Sequence, residues 1–140
     1  MDLKYLFEPK GVIVTGVSSH PGKFGSVALH NILACGYEGK VFAFGREDGR
    51  VLEQQVFTSF DSIPSNEADL MILCTPVEVN EELVRKASKK GVKAIFCAAG
   101  GYSETGEDGI IAEKRLVTLA AELDLVLAGP NGQGIVSPHA

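Results

Sequence analysis

Short apolar runs alternate with stretches of helical spacing along this chain, and that alternation limits the fold more than any other feature. Five short runs are predicted to be strands, at residues 11–16, 40–44, 69–74, 92–98 and 125–128. Between them, apolar residues recur at helical spacing over residues 24–35, 79–90 and 110–123. Alternating strands and helices produce parallel strands joined by crossovers. The sequence therefore predicts an α/β fold of the Rossmann-like, doubly wound class, whose mostly parallel sheet has about five strands and carries helices on both faces.

The pattern is weaker in the middle of the chain. Residues 51–63 are largely polar and precede Pro64. We expect one short strand there, near residues 55–57, followed by a turn or short helix around residues 60–63. Gly36 and Gly91 end the helical patterns on either side, as glycine commonly does after a helix C-terminus.

The size and charge are those of one globular domain. The chain has 140 residues, 45% of them apolar and 22% charged, which suffices for a core without a metal ion or disulfide. A net charge of −5 argues against a general nucleic-acid binder. The N-terminal residues lack the apolar core of a signal peptide, and no stretch approaches a membrane span. We therefore expect a cytoplasmic protein with neither nucleic-acid nor membrane partners.

Reactive side chains are few. Cys35, Cys74 and Cys97 lie in separate apolar runs without metal-site spacing, so we expect three buried thiols and no metal site. The three histidines fall in a loop, in the first helix and at the chain end: His20, His30 and His139. Because no acid–base pair or nucleophile triad accompanies them, we predict that this chain by itself binds a ligand and has no catalytic residue.

The loop after the first strand carries the strongest signal for a ligand site. In doubly wound sheets, ligands bind beyond the carboxyl ends of the strands. Backbone amides at a helix start bind anions, and glycine lets a ligand approach the backbone closely. We predict a phosphate site formed by Gly16, Ser18, Ser19, Gly22 and Lys23. The alternative is a glycine-rich turn that only packs the strand against the helix.

This loop matches neither of two common nucleotide-binding motifs. Five residues separate Gly16 from Gly22, where a Walker loop has four, and Phe24 stands in place of its Ser or Thr. The dinucleotide fingerprint also fails, because Ser18 and Pro21 occupy its second and third glycine positions. Arg46 follows the second strand where an NAD site usually has an acidic residue. A guanidinium there suits a ribose phosphate, which NADP and coenzyme A (CoA) both carry, or is a solvated loop charge.

Six segments resemble one known family in the right order. They are LFEPKGV at 6–12, GVSSHPGKFG at 16–25, GYEGKV at 36–41, GVKA at 91–94, GYSETG at 101–106 and GPNGQGI at 129–135. From Leu6 to Pro138 the chain resembles the N-terminal CoA-binding domain of the nucleoside-diphosphate-forming acyl-CoA synthetases, which is related to the succinyl-CoA synthetase α subunit. The resemblance implies CoA or acyl-CoA as the ligand and a single CoA-binding domain over residues 1–140.

The resemblance also implies which residues face CoA. The first loop would hold the CoA phosphates, and Phe44 and Arg46 would lie beside the adenosine and its 3′-phosphate. The remaining residues would line the groove wall or lie near the pantetheine end: Thr75, Pro76 and Val77, then Gly100, Gly101 and Asn131. The chain departs from the family in having Gly45-Arg46 where Asn-Pro is usual. It departs again at Gly132-Gln133, where Cys followed by Leu or Pro is usual.

Family members also carry a flavodoxin-like domain with a phosphorylated histidine and an ATP-grasp domain, which lie outside this chain. The expected partners are therefore further domains or a β subunit of an acyl-CoA synthetase, or an acetyltransferase fusion; a stand-alone binding domain is also open. Two other hypotheses for the function of the chain stay open. One is an NADP-binding module of an oxidoreductase, and the other is a regulatory domain that senses acyl-CoA or mediates subunit contact.

Overall fold

The computed structural model describes residues 2–20 and 22–135. Within these ranges the strands are β1 (Gly11–Val14), β2 (Lys40–Phe44), β3 (Arg50–Val51), β4 (Gln54–Phe57), β5 (Leu70–Leu73), β6 (Ala94–Cys97) and β7 (Val126–Ala128). The helices there are α1 (Lys4–Phe7), α2 (Phe24–Ala34), α3 (Val77–Lys89) and α4 (Glu107–Glu122). Single 3₁₀ turns lie at Phe60–Ser62 and Ser103–Thr105.

The strands form one sheet in the order β3-β4-β2-β1-β5-β6-β7. Every neighbouring pair is parallel except β3 and β4, which are antiparallel. Strand β1 lies at the centre, with Val12 paired to Val41 of β2 on one side and to Leu70 of β5 on the other. The order of the strands along the chain reverses between β1 and β5, which makes this the switch point of a doubly wound sheet. The predicted fold class is confirmed.

Helices cover both faces of the sheet, and each face has its own core. Ile13 of β1 packs in the cluster that contains Leu83 and Val84 of α3 and Leu116 of α4. The neighbouring Val12 and Val14 pack in the opposite cluster, with α1 and α2. Because both faces of the central strands are buried, these strands are continuous apolar runs and could be predicted from sequence.

The sheet has seven strands where about five were expected from the apolar runs. Strand β4 and the following 3₁₀ turn confirm the short strand and turn predicted within residues 51–63. Strand β3 was not predicted because it is two residues long. It joins β4 through Leu52 and Glu53, whose φ angles of 51° and 67° form the tight turn that Asn-Gly usually signals. Neither residue type marks such a turn in a sequence.

The prediction of three buried thiols is wrong for Cys35, which lies at the end of α2 and is exposed. Cys74 is half-buried and Cys97 is buried.

The side of each helix that faces the core also differs from the apolar pattern in the sequence. Val79 and Val117 belong to that pattern, yet they are 38% and 51% exposed. Helix α3 begins at Val77, earlier than the pattern suggested, and buries Asn80.

No helix in residues 2–20 and 22–135 is long and apolar enough to cross a membrane.

Candidate functional site

The loops after β2, β1 and β5 lie side by side at the carboxyl edge of the sheet. A Cβ added to Gly45 would overlap the carbonyl oxygen of Val17. Val17 also donates its amide to the carbonyl of Phe44, at 3.0 Å. On the other side, a Cβ on Gly16 would lie 2.7 Å from the carbonyl oxygen of Cys74, and Gly16 has φ +74°. Both glycines are therefore required by close approach of neighbouring loops. Position 45 is also where this chain has glycine instead of the asparagine of the family's usual Asn-Pro, and the absence of a side chain there lets the Val17 carbonyl lie against the backbone.

The loops after β6 and β7 continue this row. A Cβ on Gly101 would lie 2.9 Å from Cγ2 of Val77, so the loop after β6 touches the start of α3. A Cβ on Gly100 would lie 3.8 Å from Oδ1 of Asn131, in the loop after β7. The amide of Asn131 donates to the carbonyl of Ala99 at 3.0 Å. The structure thus brings the residues predicted for the groove wall and the pantetheine end next to one another.

Gly132 explains the second departure from the family pattern. A Cβ at this position would lie 2.6 Å from Cζ of Phe96. Its amide also donates to the carbonyl of Cys97 at 3.0 Å, which holds the loop against β6. A cysteine side chain at position 132 would therefore require the Phe96 ring to move.

The first turn of α2 is fixed tightly to the loop after β1. Ser26 Oγ donates to the Ser18 carbonyl at 2.5 Å and accepts the Ser18 amide at 3.1 Å. Gly25 is buried, and a Cβ there would lie 2.6 Å from the Thr15 carbonyl oxygen. The first amides of a helix have no acceptor within it, and the helix dipole makes this end positive. The start of α2 thus presents backbone amides and the positive end of a helix dipole beside the loop after β1.

The residues predicted to bind phosphate lie around this helix start. Ser19, Gly22 and Lys23 are exposed, and Lys23 immediately precedes α2. Ser18 is half-buried, and its Oγ accepts the His20 amide at 3.1 Å, so it also shapes the loop. Pro21, which belongs to the family motif, lies outside the described residues.

The two residues predicted to lie beside the adenosine, Phe44 and Arg46, differ in how exposed their side chains are. Arg46 is exposed in the loop after β2. The Phe44 ring is half-buried and packs edge-on against Phe60, with the ring centroids 5.3 Å apart. Phe44 thus contributes mainly to the core on the α3–α4 face.

Below the loops, a buried polar network crosses the switch point. Thr15 Oγ1 lies 3.1 Å from Thr75 Oγ1, which donates to Asn80 Oδ1 at 2.6 Å. Asn80 Nδ2 donates to the Thr75 carbonyl at 3.0 Å and to the Tyr102 hydroxyl at 3.1 Å. Sequence reasoning did not single out Thr15 or Asn80. Two features of the sequence could have indicated them: Thr15 is a polar residue at the end of a buried strand, and Asn80 is a polar residue on the apolar side of a helix.

Hydrogen bonds from backbone amides shape the loop after β6. The Glu104 carboxylate accepts the amides of Gly101 and Tyr102, the latter at 3.1 Å. Hydrogen bonds from the amides of Glu104 itself and of Gly101 lower the pKa of this carboxyl group. Burial raises the pKa of the Cys74 and Cys97 thiols to about 12 and about 11, so both are protonated at neutral pH.

The histidines and acidic residues of the described part of the chain add no metal centre. His20 and His30 are exposed, and His139 lies outside the described residues. Residues 2–20 and 22–135 contain no group of three His, Cys, Asp or Glu side chains placed to hold a metal ion.

An apolar groove of about 390 Å³ lies on the opposite side of the sheet from α3 and α4. Ile72 and Phe96 line it from the sheet, Phe24 from α2 and Ile135 from the end of the described chain. This lining does not suit a phosphate, which needs donors and positive charge. The groove reaches the first residue of α2, Phe24, but its lining there is apolar.

Comparison with known proteins gives consistent matches over the chain. A family model described as "CoA binding domain" matches residues 10–138. The α subunit of ADP-forming acetate–CoA ligase I from Pyrococcus furiosus is 33% identical over 97% of this chain and 30% of its own length. ADP-forming acetate–CoA ligase II from Archaeoglobus fulgidus is 32% identical over 97% of this chain and 20% of its own length.

The fold matches a solved structure equally well. Acetyl-coenzyme A synthetase 1 of Ca. Korarchaeum cryptofilum, in complex with phosphate and ADP, superposes with a TM-score of 0.89 at 28% identity. The match covers 98% of this chain and 29% of that protein. The chain thus spans between 20% and 30% of the length of these relatives.

Proposed function

Since the chain belongs to the CoA-binding domain family, we propose that it binds CoA along the carboxyl edge of its sheet, with the CoA phosphates held at the start of α2. The observation that carries this proposal is the contact of Gly25 and Ser26 with the loop after β1. It holds the first turn of α2 at the carboxyl edge of the sheet, where doubly wound folds bind nucleotides. Lys23 and Ser19 are exposed beside it and supply a charge and a hydroxyl.

The rest of CoA follows the row of loops in this proposal. The adenosine and its 3′-phosphate lie toward the loop after β2, with Arg46 as the exposed cation and Phe44 as part of the floor beneath. The pantetheine arm runs across the switch point toward the loops after β6 and β7. Thr75, Pro76 and Val77 form the groove wall, and Gly100, Gly101 and Asn131 lie near the pantetheine end.

We further propose that the chain serves as the CoA-binding part of an ADP-forming acyl-CoA synthetase, as the names of its relatives suggest. Its contribution to such an acid–thiol ligation is to bind and orient CoA. Activation of the acid falls to further domains or to a β subunit.

The first prediction concerns the identity of the ligand. A ligand that binds only the folded state raises the unfolding free energy, by about 2.7 kcal/mol at a hundred times its Kd. We therefore expect CoA to raise the Tm of the chain in a thermal shift assay, and NADPH and ATP at equal concentrations to raise it less. If NADPH raised the Tm and CoA did not, an NADP-binding module would replace the proposed function.

The second prediction assigns Arg46 to the 3′-phosphate. Dephospho-CoA lacks only that phosphate, so the wild type should bind it more weakly than CoA, while Arg46→Ala should bind both equally. Removing each partner in turn isolates the pair. Titration calorimetry at two salt concentrations measures the effect, which should shrink with added salt because Arg46 is exposed. If both proteins discriminate the two ligands by the same factor, Arg46 has no part in phosphate recognition.

A further inference from the structure

Both polar atoms of the Asn80 side chain form hydrogen bonds, which connect α3 with the loops after β5 and β6. Its oxygen accepts the Thr75 hydroxyl, and its amide nitrogen donates to the Thr75 carbonyl and to the Tyr102 hydroxyl. Asn80 is fully buried and Tyr102 is 1% exposed. A buried amide carries a desolvation penalty that leucine in the same helix position would avoid. What the amide adds is directional: it sets the distance between the loop after β5 and the loop after β6.

The loop after β6 needs such an anchor. Residues 100, 101 and 103–106 are exposed, and the buried Tyr102 lies between them. Gly101 and Gly106 adopt φ angles of +91° and +116°, so this stretch has the conformational freedom of glycine. The Tyr102 carbonyl accepts Thr105 Oγ1 at 2.8 Å, which ties the following turn to the same residue. The Tyr102 side chain is therefore the buried anchor of this exposed stretch.

We propose that Asn80 and Tyr102 are positioning residues for the pantetheine arm of CoA, a role that rests on the proposed function. Both side chains are buried and so act through the exposed residues of the two loops. Asn80 holds the strand-end Thr75 next to Pro76 and Val77, and Tyr102 holds Gly100 and Gly101. Burial raises the pKa of Tyr102 to about 12, so its hydroxyl is neutral at ordinary assay pH.

The test compares two ligands on one variant. Tyr102→Phe removes the hydroxyl and keeps the ring, which leaves one Asn80 hydrogen without its partner. We expect CoA affinity to fall about three- to tenfold, the equivalent of one hydrogen bond. Adenosine 3′,5′-bisphosphate lacks the pantetheine arm and faces the loops after β1 and β2, so its Kd should not change. Titration calorimetry on the 140-residue chain measures both.

Tyr37→Phe is the matched control. It also removes one tyrosine hydroxyl. That hydroxyl donates to the Pro9 carbonyl at 2.8 Å, and Pro9 precedes β1 at the amino edge of the sheet. Both ligands should bind this variant as they bind the wild type. In an Asn80→Ala background, Tyr102→Phe should produce a smaller loss of CoA affinity than it does in the wild type, because the hydroxyl hydrogen-bonds to Asn80 as well as to Cys97.

Three results would overturn the inference. An unchanged CoA Kd in Tyr102→Phe would remove the positioning role. An equal loss for CoA and for adenosine 3′,5′-bisphosphate would make the network a stability element only. A wild type that binds neither ligand would overturn the proposed function, and the inference with it, before any variant is compared.

Discussion

Gly25→Ala is expected to lower the Tm of the chain by about 5–15 °C, as overpacking by one methyl group against backbone typically does. The new Cβ would lie 2.5 Å from the Gly16 carbonyl carbon and 2.6 Å from the Thr15 carbonyl oxygen. These are backbone atoms at the end of a central strand, so they cannot rotate away as a side chain would. Helix α2 must then separate from β1, and CoA binding should weaken as well. Circular dichroism melting and titration calorimetry measure the two effects.

Gly22→Ala is the control in the same loop. Among the residues that the structure describes, and apart from its chain neighbours, a Cβ on Gly22 meets no atom within 4 Å, so the Tm should stay within about 2 °C of the wild type. If both variants lost the same stability, the contact between α2 and Gly16 would not be the reason.

Lys23→Ala is expected to weaken CoA binding by about ten- to a hundredfold, which is the worth of one charge-assisted hydrogen bond. Lys23 is exposed, so its loss opens no cavity and the Tm without ligand should not change. Ser18→Ala should also weaken binding, and it additionally removes the acceptor of the His20 amide. Titration calorimetry at low and at moderate salt gives the two dissociation constants.

Lys10→Ala is the matched control for charge. Lys10 is also exposed, but it precedes β1 and so lies at the amino edge of the sheet, away from the proposed site. This variant loses the same charge and should keep the CoA affinity of the wild type. An unchanged Kd in both Lys23→Ala and Ser18→Ala would instead move the phosphate site to another loop.

The sequence was sufficient to predict the architecture because the central strands are buried on both faces. Val12, Ile13 and Val14 form an uninterrupted apolar run for that reason. The hairpin of β3 and β4 was harder to predict, because its turn is formed by Leu52 and Glu53. Both residues are exposed, and the pairing of β3 with β4 holds them at positive φ against their local preference.

The loops of the candidate site could be predicted from a rule of topology, since parallel strands place their carboxyl ends along one edge. The direction of individual side chains could not. Phe44 ends a strand at that edge, yet its ring packs against Phe60, which lies in a separate turn. Asn80 was equally hidden, because a polar residue in a helix usually faces solvent and its partners come from distant loops.

The two outer strands of the sheet are its shortest, with two residues in β3 and three in β7. An outer strand exposes main-chain donors and acceptors that can pair with a strand of another molecule, and short length limits this template. Arg50 adds an exposed charge on the β3 side. We therefore expect that a neighbouring domain or subunit meets this chain through its helices and strand-end loops rather than by extending the sheet, and that the folded chain resists edge-to-edge aggregation.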